Sequence, residues 1–415
     1  MNKYGCIGKK LTHSFSKEIH ARLADYEYEL IELTEEEIKP FFEQKAFAAI
    51  NVTIPYKQTV IPYLDSVSDI AKRIGAVNTI VNKDGKLYGY NTDYYGMKAL
   101  IERVGLDLEG KKVLVLGTGG TSKTAGVVAA DMGATEILTV SRRKTEEYIT
   151  YEDAVKYHGD ANIIINTTPS GMYPDCDSKP IDVSCFSKLE GVIDAVYNPL
   201  CTNLVSDAKA RGIKAECGLY MLVMQAVVAV EKFLETEIPK KIADNVFASV
   251  LAAKENVVLT GMPGSGKSTV GRLLNIEGYE FIDTDAEIEK RCGCTIKELI
   301  TTKGEKFFRD LEADVIRDVS SESCRIISTG GGAVLREENV HSLKRNGKIF
   351  FINAKVSRLC ATEDRPLSNT KEKIAKLYAE RIDIYKKTAD VIVPDMETPM
   401  AEAEYILTKR MELIL

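Results

Sequence analysis

The chain has 415 residues, which predicts two or three domains, and its 45% hydrophobic and 28% charged residues are typical of globular proteins. The formal net charge of −6 argues against a general nucleic-acid binder. The longest apolar helix candidate, residues 221–230, is too short to cross a bilayer, and the first residues lack a signal-peptide core. The nine cysteines form no C-x-x-C pair and are expected to be free thiols. We therefore expect a cytoplasmic protein without nucleic-acid or membrane partners, and we leave homo-oligomer formation open.

The first candidate site residues lie near the start of the chain. Ser14 and Ser16 follow a strand-like segment, and hydroxyl groups at i and i+2 of an extended chain can bind one anion. Taken alone, a helix cap explains such a pair as well. Lys57 then follows a strand that ends at Pro55, a common position for a catalytic group, although a solvated lysine is the simple alternative. Segments 75–80 and 89–96, where Asn and Asp side chains lie beside apolar strands, favour the catalytic interpretation.

A glycine-rich turn follows the apolar run 113–117, which is typical of a buried parallel strand. Gly117, Gly119 and Gly120 open a helix expected through residues 124–130, as in a dinucleotide-binding Rossmann unit, although Ser122 replaces the third glycine of G-x-G-x-x-G. The next strand, 136–140, ends in Ser-Arg-Arg-Lys without an acid for a ribose 2′-hydroxyl. Three cations there favour the 2′-phosphate of NADP over a basic helix start, which the helix dipole disfavours.

A second glycine-rich loop lies in the second half of the chain, where residues 261–269 read GMPGSGKST after an apolar strand, 256–260, and before a helix. This context predicts a phosphate-binding loop rather than an inert turn. Lys267 is expected to reach the β and γ phosphates, and the Ser268 hydroxyl to ligate Mg²⁺.

Three downstream features are compatible with phosphoryl transfer. Asp283 and Asp285 lie two residues apart at a predicted strand end, where one acid can serve Mg²⁺ and the other an attacking hydroxyl group. Arg309, on the predicted helix 304–312, can pair with an anionic substrate or merely with an acid on its own helix. A run of three glycines after strand 325–329 allows a ligand to approach the backbone closely.

The first half, to about residue 250, resembles shikimate dehydrogenase. The matching motifs are Ser14-x-Ser16, NVTIPYK (51–57), GAVNT (75–79), GYNTD (89–93), GTGGT (117–121), INTTPSGM (165–172), YNP (197–199) and GLYMLVMQA (218–226). The resemblance implies a dehydrogenase over 1–253, with a substrate domain (1–94 plus helices 219–253) and a Rossmann-like NADP-binding domain (95–218). It makes Lys57 and Asp93 the catalytic pair, without deciding which of them carries the proton. The implied shikimate contacts are Ser14, Ser16, Thr53, Lys57, Asn78, Asp93, Tyr197 and Gln225, and the implied NADP contacts are Gly117, Thr118, Gly119, Gly120, Thr121, Ser141, Arg142, Arg143 and Gly218.

The second half, 256–415, resembles shikimate kinase through FIDTD (281–285), GEKFFRDLE (304–312), STGGGAV (328–334), RPL (365–367) and ERIDIYKKTAD (380–390). The resemblance implies a P-loop α/β kinase with Asp285 as the base. The lid before Arg365 is short and lacks a second arginine. The implied shikimate contacts are Asp285, Arg309, Gly330, Gly331 and Arg381, the ATP contacts are Gly264, Ser265, Gly266, Lys267, Ser268, Thr269 and Arg365, and the Mg²⁺ ligands are Ser268 and Asp283.

Together the two resemblances predict an α/β protein in which a two-domain dehydrogenase precedes a P-loop kinase. The implied function is a bifunctional enzyme of aromatic amino-acid biosynthesis. One half would reduce 3-dehydroshikimate with NADPH, and the other would phosphorylate shikimate with ATP and Mg²⁺. One alternative keeps both folds but takes quinate as the first substrate. Another is a metabolite-sensing regulator with inactive domains, which the presence of Lys57, Asp93, Lys267, Asp285 and Arg309 disfavours.

Overall fold

The computed structural model describes residues 3–11, 15–359 and 370–414. The chain divides into two compact units, Met1–Val250 and Leu251–Leu415. Among the described residues, no helix has the length and apolar character needed to span a membrane.

The first sheet of the first unit mixes parallel and antiparallel pairs, in the order β2-β1-β3-β5-β6-β4. Ile7, Ile50 and Ile80 of its central strands are fully buried with Phe42 in one apolar core. Its elements are β1 (Tyr4–Gly8), α1 (Ser16–Leu23), β2 (Tyr28–Glu32), α2 (Glu35–Gln44), β3 (Ala49–Val52), a 3₁₀ turn (Ile61–Tyr63), β4 (Ser66–Val67), α3 (Asp69–Ile74), β5 (Thr79–Lys83) and β6 (Lys86–Tyr90).

The second sheet is entirely parallel, in the order β12-β11-β10-β7-β8-β9. The elements after β6 are α4 (Asp93–Val104), β7 (Lys112–Leu116), α5 (Gly120–Asp131), β8 (Glu136–Ser141), β9 (Tyr148–Thr150), α6 (Tyr151–Tyr157), β10 (Ile163–Asn166), a 3₁₀ turn (Val183–Cys185), β11 (Gly191–Asp194), α7 (Asn203–Ala210), β12 (Lys214–Cys217), α8 (Leu219–Leu234) and α9 (Lys240–Lys254), whose last residues belong to the second unit. The chain order reverses between β7 and β10. In open parallel sheets, ligands bind beside the carboxyl ends of the strands at such a reversal.

The second unit is built on one parallel sheet, in the order β14-β15-β13-β16-β17. Val257, Val258 and Leu259 of the central strand are fully buried. The elements are β13 (Asn256–Thr260), α10 (Lys267–Leu273), β14 (Glu280–Asp283), α11 (Thr284–Cys292), α12 (Ile296–Ser321), β15 (Arg325–Ser328), a 3₁₀ turn (Ala333–Leu335), α13 (Glu337–Asn346), β16 (Gly347–Ile352), a 3₁₀ turn (Val356–Arg358), α14 (Lys371–Thr388), β17 (Val391–Val393) and α15 (Pro399–Ile414).

The predicted α/β class is confirmed, and the structure corrects three local expectations. Ser16 is the first residue of α1, so the extended geometry expected of the serine pair does not hold there. Asp283 ends β14 and caps α11, whereas Asp285 lies inside that helix, so the two carboxylates do not alternate along a strand. Gly304 has a φ of 87° and interrupts α12, so the helix expected over 304–312 begins after it.

Candidate active sites

Lys57 and Asp93 form a short ion pair in the first unit. Lys57 lies in the turn after β3, and Asp93 is the first residue of α4. The Lys57 Nζ donates to Asp93 Oδ2 at 2.6 Å, and the two side chains are 18% and 6% exposed. A proton can therefore pass between two groups that are mostly withdrawn from water.

A buried amide network fixes the start of α4. The Asn78 Oδ1 accepts from the backbone N–H of Thr92 at 2.7 Å, and Asn78 Nδ2 donates to Thr92 Oγ1 at 3.0 Å. Thr79 Oγ1 also donates to Asn78 Oδ1, at 3.1 Å. Since Thr92 directly precedes Asp93, Asn78 helps to fix the position of the Asp93 backbone.

The other expected substrate contacts come from several elements. Thr53 follows β3, and its backbone N–H donates to Ile7 O at 3.0 Å. Phe15, next to Ser16, packs its ring 5.2 Å from that of Tyr197, which joins the start of α1 to the loop after β11. Gln225 lies in α8 against α4, where a Cβ on Gly96 would be 3.2 Å from the Gln225 Cβ.

The loop that carries Tyr197 is held by Asp194, at the end of β11. Asp194 Oδ1 accepts from Val196 N at 3.0 Å and from Asn166 Nδ2 at 2.9 Å, and Oδ2 accepts from Thr202 Oγ1 at 2.7 Å. Burial raises the pKa of the Asp194 carboxyl to about 6, against the effect of these three donors. Gly218 N donates to Val196 O at 2.8 Å, and a side chain at Gly218 would overlap the Ala195 carbonyl. The close contact with Ala195 therefore explains the glycine at position 218 independently of the predicted NADP contact.

The glycine loop after β7 has the geometry that a pyrophosphate group needs. Gly117 has a φ of 108°, and a Cβ there would lie 2.8 Å from Thr167 Oγ1. A Cβ on Gly119 or Gly120 would meet no described atom within 4 Å, so the start of α5 is open to a ligand. Ser122 Oγ donates to Gly117 O at 2.6 Å, which fastens the loop and explains the serine in place of a third glycine. Thr118 and Thr121 belong to this loop and the first turn of α5.

The basic segment after β8 is a loop that leads to β9, so the alternative of a basic helix start is wrong. Arg142 and Arg143 are exposed, and neither forms an ion pair within the described parts of the chain. Lys144 instead pairs with Asp153 at 2.9 Å. Ser141 Oγ accepts from Arg143 N at 3.3 Å. Two arginines near the glycine loop suit the 2′-phosphate of NADP.

In the second unit, the loop after β13 has the backbone of a phosphate cradle. Gly264 and Gly266 have φ values of 78° and 91°, and α10 begins at Lys267. The Lys267 Nζ donates to the carbonyls of Gly261 and Met262, both at 2.9 Å, so its charge is held over the loop. The buried Ser265 Oγ has no hydrogen-bond partner among the described residues, which fits a loop that receives an anion. Thr269 follows in the first turn of α10.

Ser268 and Asp283 form the oxygen pair that suits Mg²⁺. Ser268 Oγ donates to Asp283 Oδ2 at 2.6 Å and lies 3.2 Å from Ser328 Oγ. Asp283 Oδ1 accepts from Asp285 N at 3.1 Å, so Asp283 also fixes the start of α11. In the described ranges, no three His, Cys, Asp or Glu residues gather around a metal position. Mg²⁺ commonly takes one or two protein oxygens and completes its shell with phosphate and water.

Asp285 and two arginines surround the glycines after β15. A Cβ on Gly330 would lie 2.6 Å from Asp285 Oδ1, and one on Gly332 would overlap the Arg309 guanidinium. Arg309 pairs with Glu312 at 2.8 Å, and the Arg381 Nη1 donates to Gly331 O at 3.1 Å. A small acid with hydroxyl groups could thus lie against bare backbone between a carboxylate and two cations.

Two expected site residues, Ser14 and Arg365, lie outside the described residues. The structure adds two residues to the second site. The first, Glu312, is the acid on the helix of Arg309 that the sequence analysis left unnamed, and the second, Tyr385, was missed. Glu312 is fully buried beneath Arg309, and the Tyr385 hydroxyl donates to the carbonyls of Gly261, at 3.0 Å, and Gly331. Tyr385 lies four residues after Arg381 on α14, so the helical spacing of the two was the available signal.

Relatives of known activity match the first unit almost completely. The chain is 39% identical over 265 residues to a shikimate dehydrogenase (NADP(+)) of Clostridium beijerinckii, which covers 60% of this chain and 97% of the relative. The chain belongs to the shikimate dehydrogenase family. The family profile for the shikimate dehydrogenase substrate binding domain matches residues 6–80, and the shikimate kinase profile matches residues 263–412. The protein therefore joins a shikimate dehydrogenase to a shikimate kinase domain.

Solved structures agree for this first unit. Shikimate dehydrogenase 1 of Peptoclostridium difficile superposes with a TM-score of 0.56 at 36% identity, over 60% of this chain and 98% of that one. A chorismate mutase/shikimate 5-dehydrogenase fusion protein of Clostridium acetobutylicum gives 0.57 at 32% identity, over 60% and 97%. The enzyme of Thermus thermophilus, solved with NADP(H) and shikimate, gives 0.53 at 27% identity, over 60% and 99%.

Proposed function

We propose that the protein catalyses two reactions of aromatic amino-acid biosynthesis, the reduction of 3-dehydroshikimate to shikimate with NADPH and the phosphorylation of shikimate to shikimate 3-phosphate with ATP and Mg²⁺. Two observations carry the proposal. In the first unit, Lys57 forms an ion pair with Asp93. The second unit combines a phosphate loop with Asp285 and the two arginines, Arg309 and Arg381. The families that the two units match, shikimate dehydrogenase and shikimate kinase, are both named for shikimate.

In the dehydrogenase, the residues of this chain bind the substrate and move one proton. NADPH supplies the hydride. The Lys57–Asp93 pair delivers the proton to the ketone oxygen, because the two groups share a 2.6 Å hydrogen bond beside the substrate contacts. Ser14 and Ser16 bind the substrate carboxylate, and Thr53, Asn78, Tyr197 and Gln225 complete the pocket. Arg142 and Arg143 bind the 2′-phosphate.

In the kinase, the chain positions a hydroxyl group and neutralises charge. ATP with Mg²⁺ supplies the phosphoryl group. Lys267 and the loop amides bind the phosphates, and Ser268 and Asp283 are placed to hold the metal. Arg309 and Arg381 bind the carboxylate of shikimate, while Asp285 accepts the proton of the attacking hydroxyl. The resemblance to shikimate kinase adds Arg365, which lies outside the described residues, as a further phosphate-binding cation.

The substrates are small molecules in this proposal, and the protein acts in the cytoplasm without nucleic-acid or membrane partners. The net charge of −6 supports the absence of a nucleic-acid partner. Free cysteines support a reducing compartment, since no disulfide forms among the described cysteines.

Both activities can be tested on one purified sample. NADPH oxidation is followed with 3-dehydroshikimate, and ADP formation is followed with shikimate and MgATP. The reverse dehydrogenase reaction is measured with shikimate and quinate in parallel. We expect both activities and a higher kcat/KM for shikimate. A higher kcat/KM for quinate would show that quinate is the substrate of the dehydrogenase. A folded protein without either activity would favour a sensing role.

A further inference from the structure

A bidentate ion pair connects helices α3 and α5 of the dehydrogenase unit. Arg73, in α3, donates from Nη2 to Asp131 Oδ1 at 2.6 Å and from Nη1 to Asp131 Oδ2 at 3.1 Å. α3 leads directly to the segment that carries Asn78, whereas Asp131 is the last residue of α5. The pair therefore ties an element beside the substrate contacts to the helix whose other end opens the cofactor loop.

The same carboxylate is bound by the residue after Asp93. Tyr94 Oη donates to Asp131 Oδ2 at 2.9 Å. Burial, with a smaller contribution from Asp131, raises the pKa of Tyr94 to about 12, so the phenol keeps its proton and remains a donor. Arg73 is the largest cause of a lowered pKa at Asp131, so that carboxylate remains an acceptor. Arg73, Asp131 and Tyr94 are called the α5 clasp below.

Asp93 consequently lies between two residues that are anchored on opposite sides. Thr92, before it, is bound through its backbone N–H by Asn78 Oδ1 at 2.7 Å. Tyr94, after it, is bound by Asp131, and its backbone N–H donates to Asn91 Oδ1 at 3.2 Å. One anchor belongs to the substrate side and the other to the cofactor helix, so together they set where Asp93 stands relative to the N-terminus of α5.

We propose that the α5 clasp is a set of positioning residues for hydride transfer, an inference that rests on the proposed dehydrogenase function. The proton from the Lys57–Asp93 pair and the hydride must reach the same carbonyl group. α5 is a 12-residue helix that runs from Gly120 to Asp131, so a shift of the helix at Asp131 would also move Gly120. Misplacing reacting groups by about 1 Å can cost roughly 10²-fold in rate. Loss of the clasp therefore lowers the rate of the chemical step more than it lowers affinity.

A purely structural role makes a different prediction. The Arg73 side chain is 52% exposed and that of Asp131 is 27% exposed. Exposed ion pairs contribute little to the stability of a fold. If the clasp only added stability, its loss would leave both the rate of hydride transfer and KM close to their wild-type values in the folded enzyme.

The test compares Arg73→Ala, Asp131→Asn and Tyr94→Phe with wild type. Lys72→Ala is the matched control, because Lys72 lies on the same helix and pairs with exposed Asp69 at 3.3 Å. Circular dichroism of each full chain, compared with wild type, checks that the dehydrogenase unit is folded, because kinase activity reports only on the other unit. We expect single-turnover NADPH oxidation to fall about threefold to tenfold in the clasp variants, with the KM for 3-dehydroshikimate within about twofold, and Lys72→Ala to behave as wild type.

Two further measurements separate positioning from general damage. The double variant Arg73→Ala/Asp131→Asn should lose no more than the worse single variant, because both changes remove one interaction. Arg73→Lys should restore part of the rate. Hydride transfer at the wild-type rate in all clasp variants, or a defect confined to KM, would overturn the proposal. If wild type itself lacked dehydrogenase activity, the proposed function would fail instead, so the two failures are distinguishable.

Discussion

Lys57 and Arg309 are both cations paired with a buried carboxylate, but their surroundings assign them different tasks. Lys57 meets Asp93 in an ion pair that is still 18% exposed on the lysine side, which suits exchange of a proton with a substrate. Arg309 is paired with Glu312, which is 1% exposed, and its planar guanidinium presents a rigid fork of donors. We therefore expect the first pair to move a proton and Arg309 to bind an anion.

Replacing Lys57 should therefore separate the two activities. Lys57→Ala is expected to lower dehydrogenase kcat by roughly 10²–10⁴, the usual contribution of a positioned acid or base. Kinase kcat in the same sample should be unchanged, and Lys267→Ala should give the opposite pattern. Steady-state assays of both reactions, with circular dichroism as a check on folding, decide the matter. Parallel loss of both activities in folded Lys57→Ala protein would contradict two independent sites.

The preference for NADPH should depend on Arg142 and Arg143. Both are exposed and lack an ion pair in the described structure, so their charges are available to a 2′-phosphate. Changing both to alanine should reduce the preference over NADH by about 1–3 kcal/mol for each lost charged contact. Lys144→Ala is the control, because Lys144 is already paired with Asp153. Equal kcat/KM for NADPH and NADH in wild type would refute this role.

At the level of whole elements, the glycines after β15 determine how closely a ligand can approach Arg309. Gly332 has a φ of −105°, so its backbone tolerates alanine. A methyl group there would overlap the Arg309 guanidinium, which is the flexible end of a side chain and can shift without unfolding the protein. The expected cost of Gly332→Ala therefore falls on substrate binding and not on stability.

We expect Gly332→Ala to raise the kinase KM for shikimate by about tenfold, the effect of weakening one charged hydrogen bond by about 1.4 kcal/mol. The melting temperature and the KM for ATP should change little. Dehydrogenase activity of the same chain is the internal control. An unchanged KM for shikimate would show that Arg309 does not need its present position.

The sequence predicts a structural feature well when its geometry depends on a few consecutive residues. An apolar strand followed by clustered glycines predicted both phosphate loops, because a phosphate cradle needs only a few consecutive residues. In the structure Gly117, Gly264 and Gly266 have positive φ. Glu312 was not assigned a role, because its contact with Arg309 at i+3 looks like an ordinary ion pair on a helix face. Tyr385 was missed because its contacts, Gly261 and Gly331, lie far away in the chain. Arg73, Asp131 and Tyr94 were missed for the same reason. Their link exists only after α3, α4 and α5 pack together, and exposed charges of this kind occur on most helices.

On the scale of the whole molecule, the two activities share one intermediate. The dehydrogenase creates the C3 hydroxyl group of shikimate, and the kinase phosphorylates that same oxygen. In the proposed sites the carboxylate is bound by Ser14 and Ser16 in one unit. Arg309 and Arg381 bind it in the other. Shikimate must therefore release its reacting end and its carboxylate anchor before it can bind again. These requirements favour release into solvent over direct transfer.

We accordingly expect the fusion to fix a one-to-one enzyme ratio and to add little or no channelling. Equal amounts of Lys57→Ala and Lys267→Ala proteins are mixed, so that every shikimate molecule must travel between chains. The lag before shikimate 3-phosphate appears, and the steady flux, are compared with wild type at matched active-site concentrations. The mixture should match wild type, because small molecules diffuse between sites much faster than typical enzymes turn over, at about 10 per second. A clearly longer lag in the mixture would contradict this prediction, because it would mean that having both active sites on one chain speeds the transfer of shikimate.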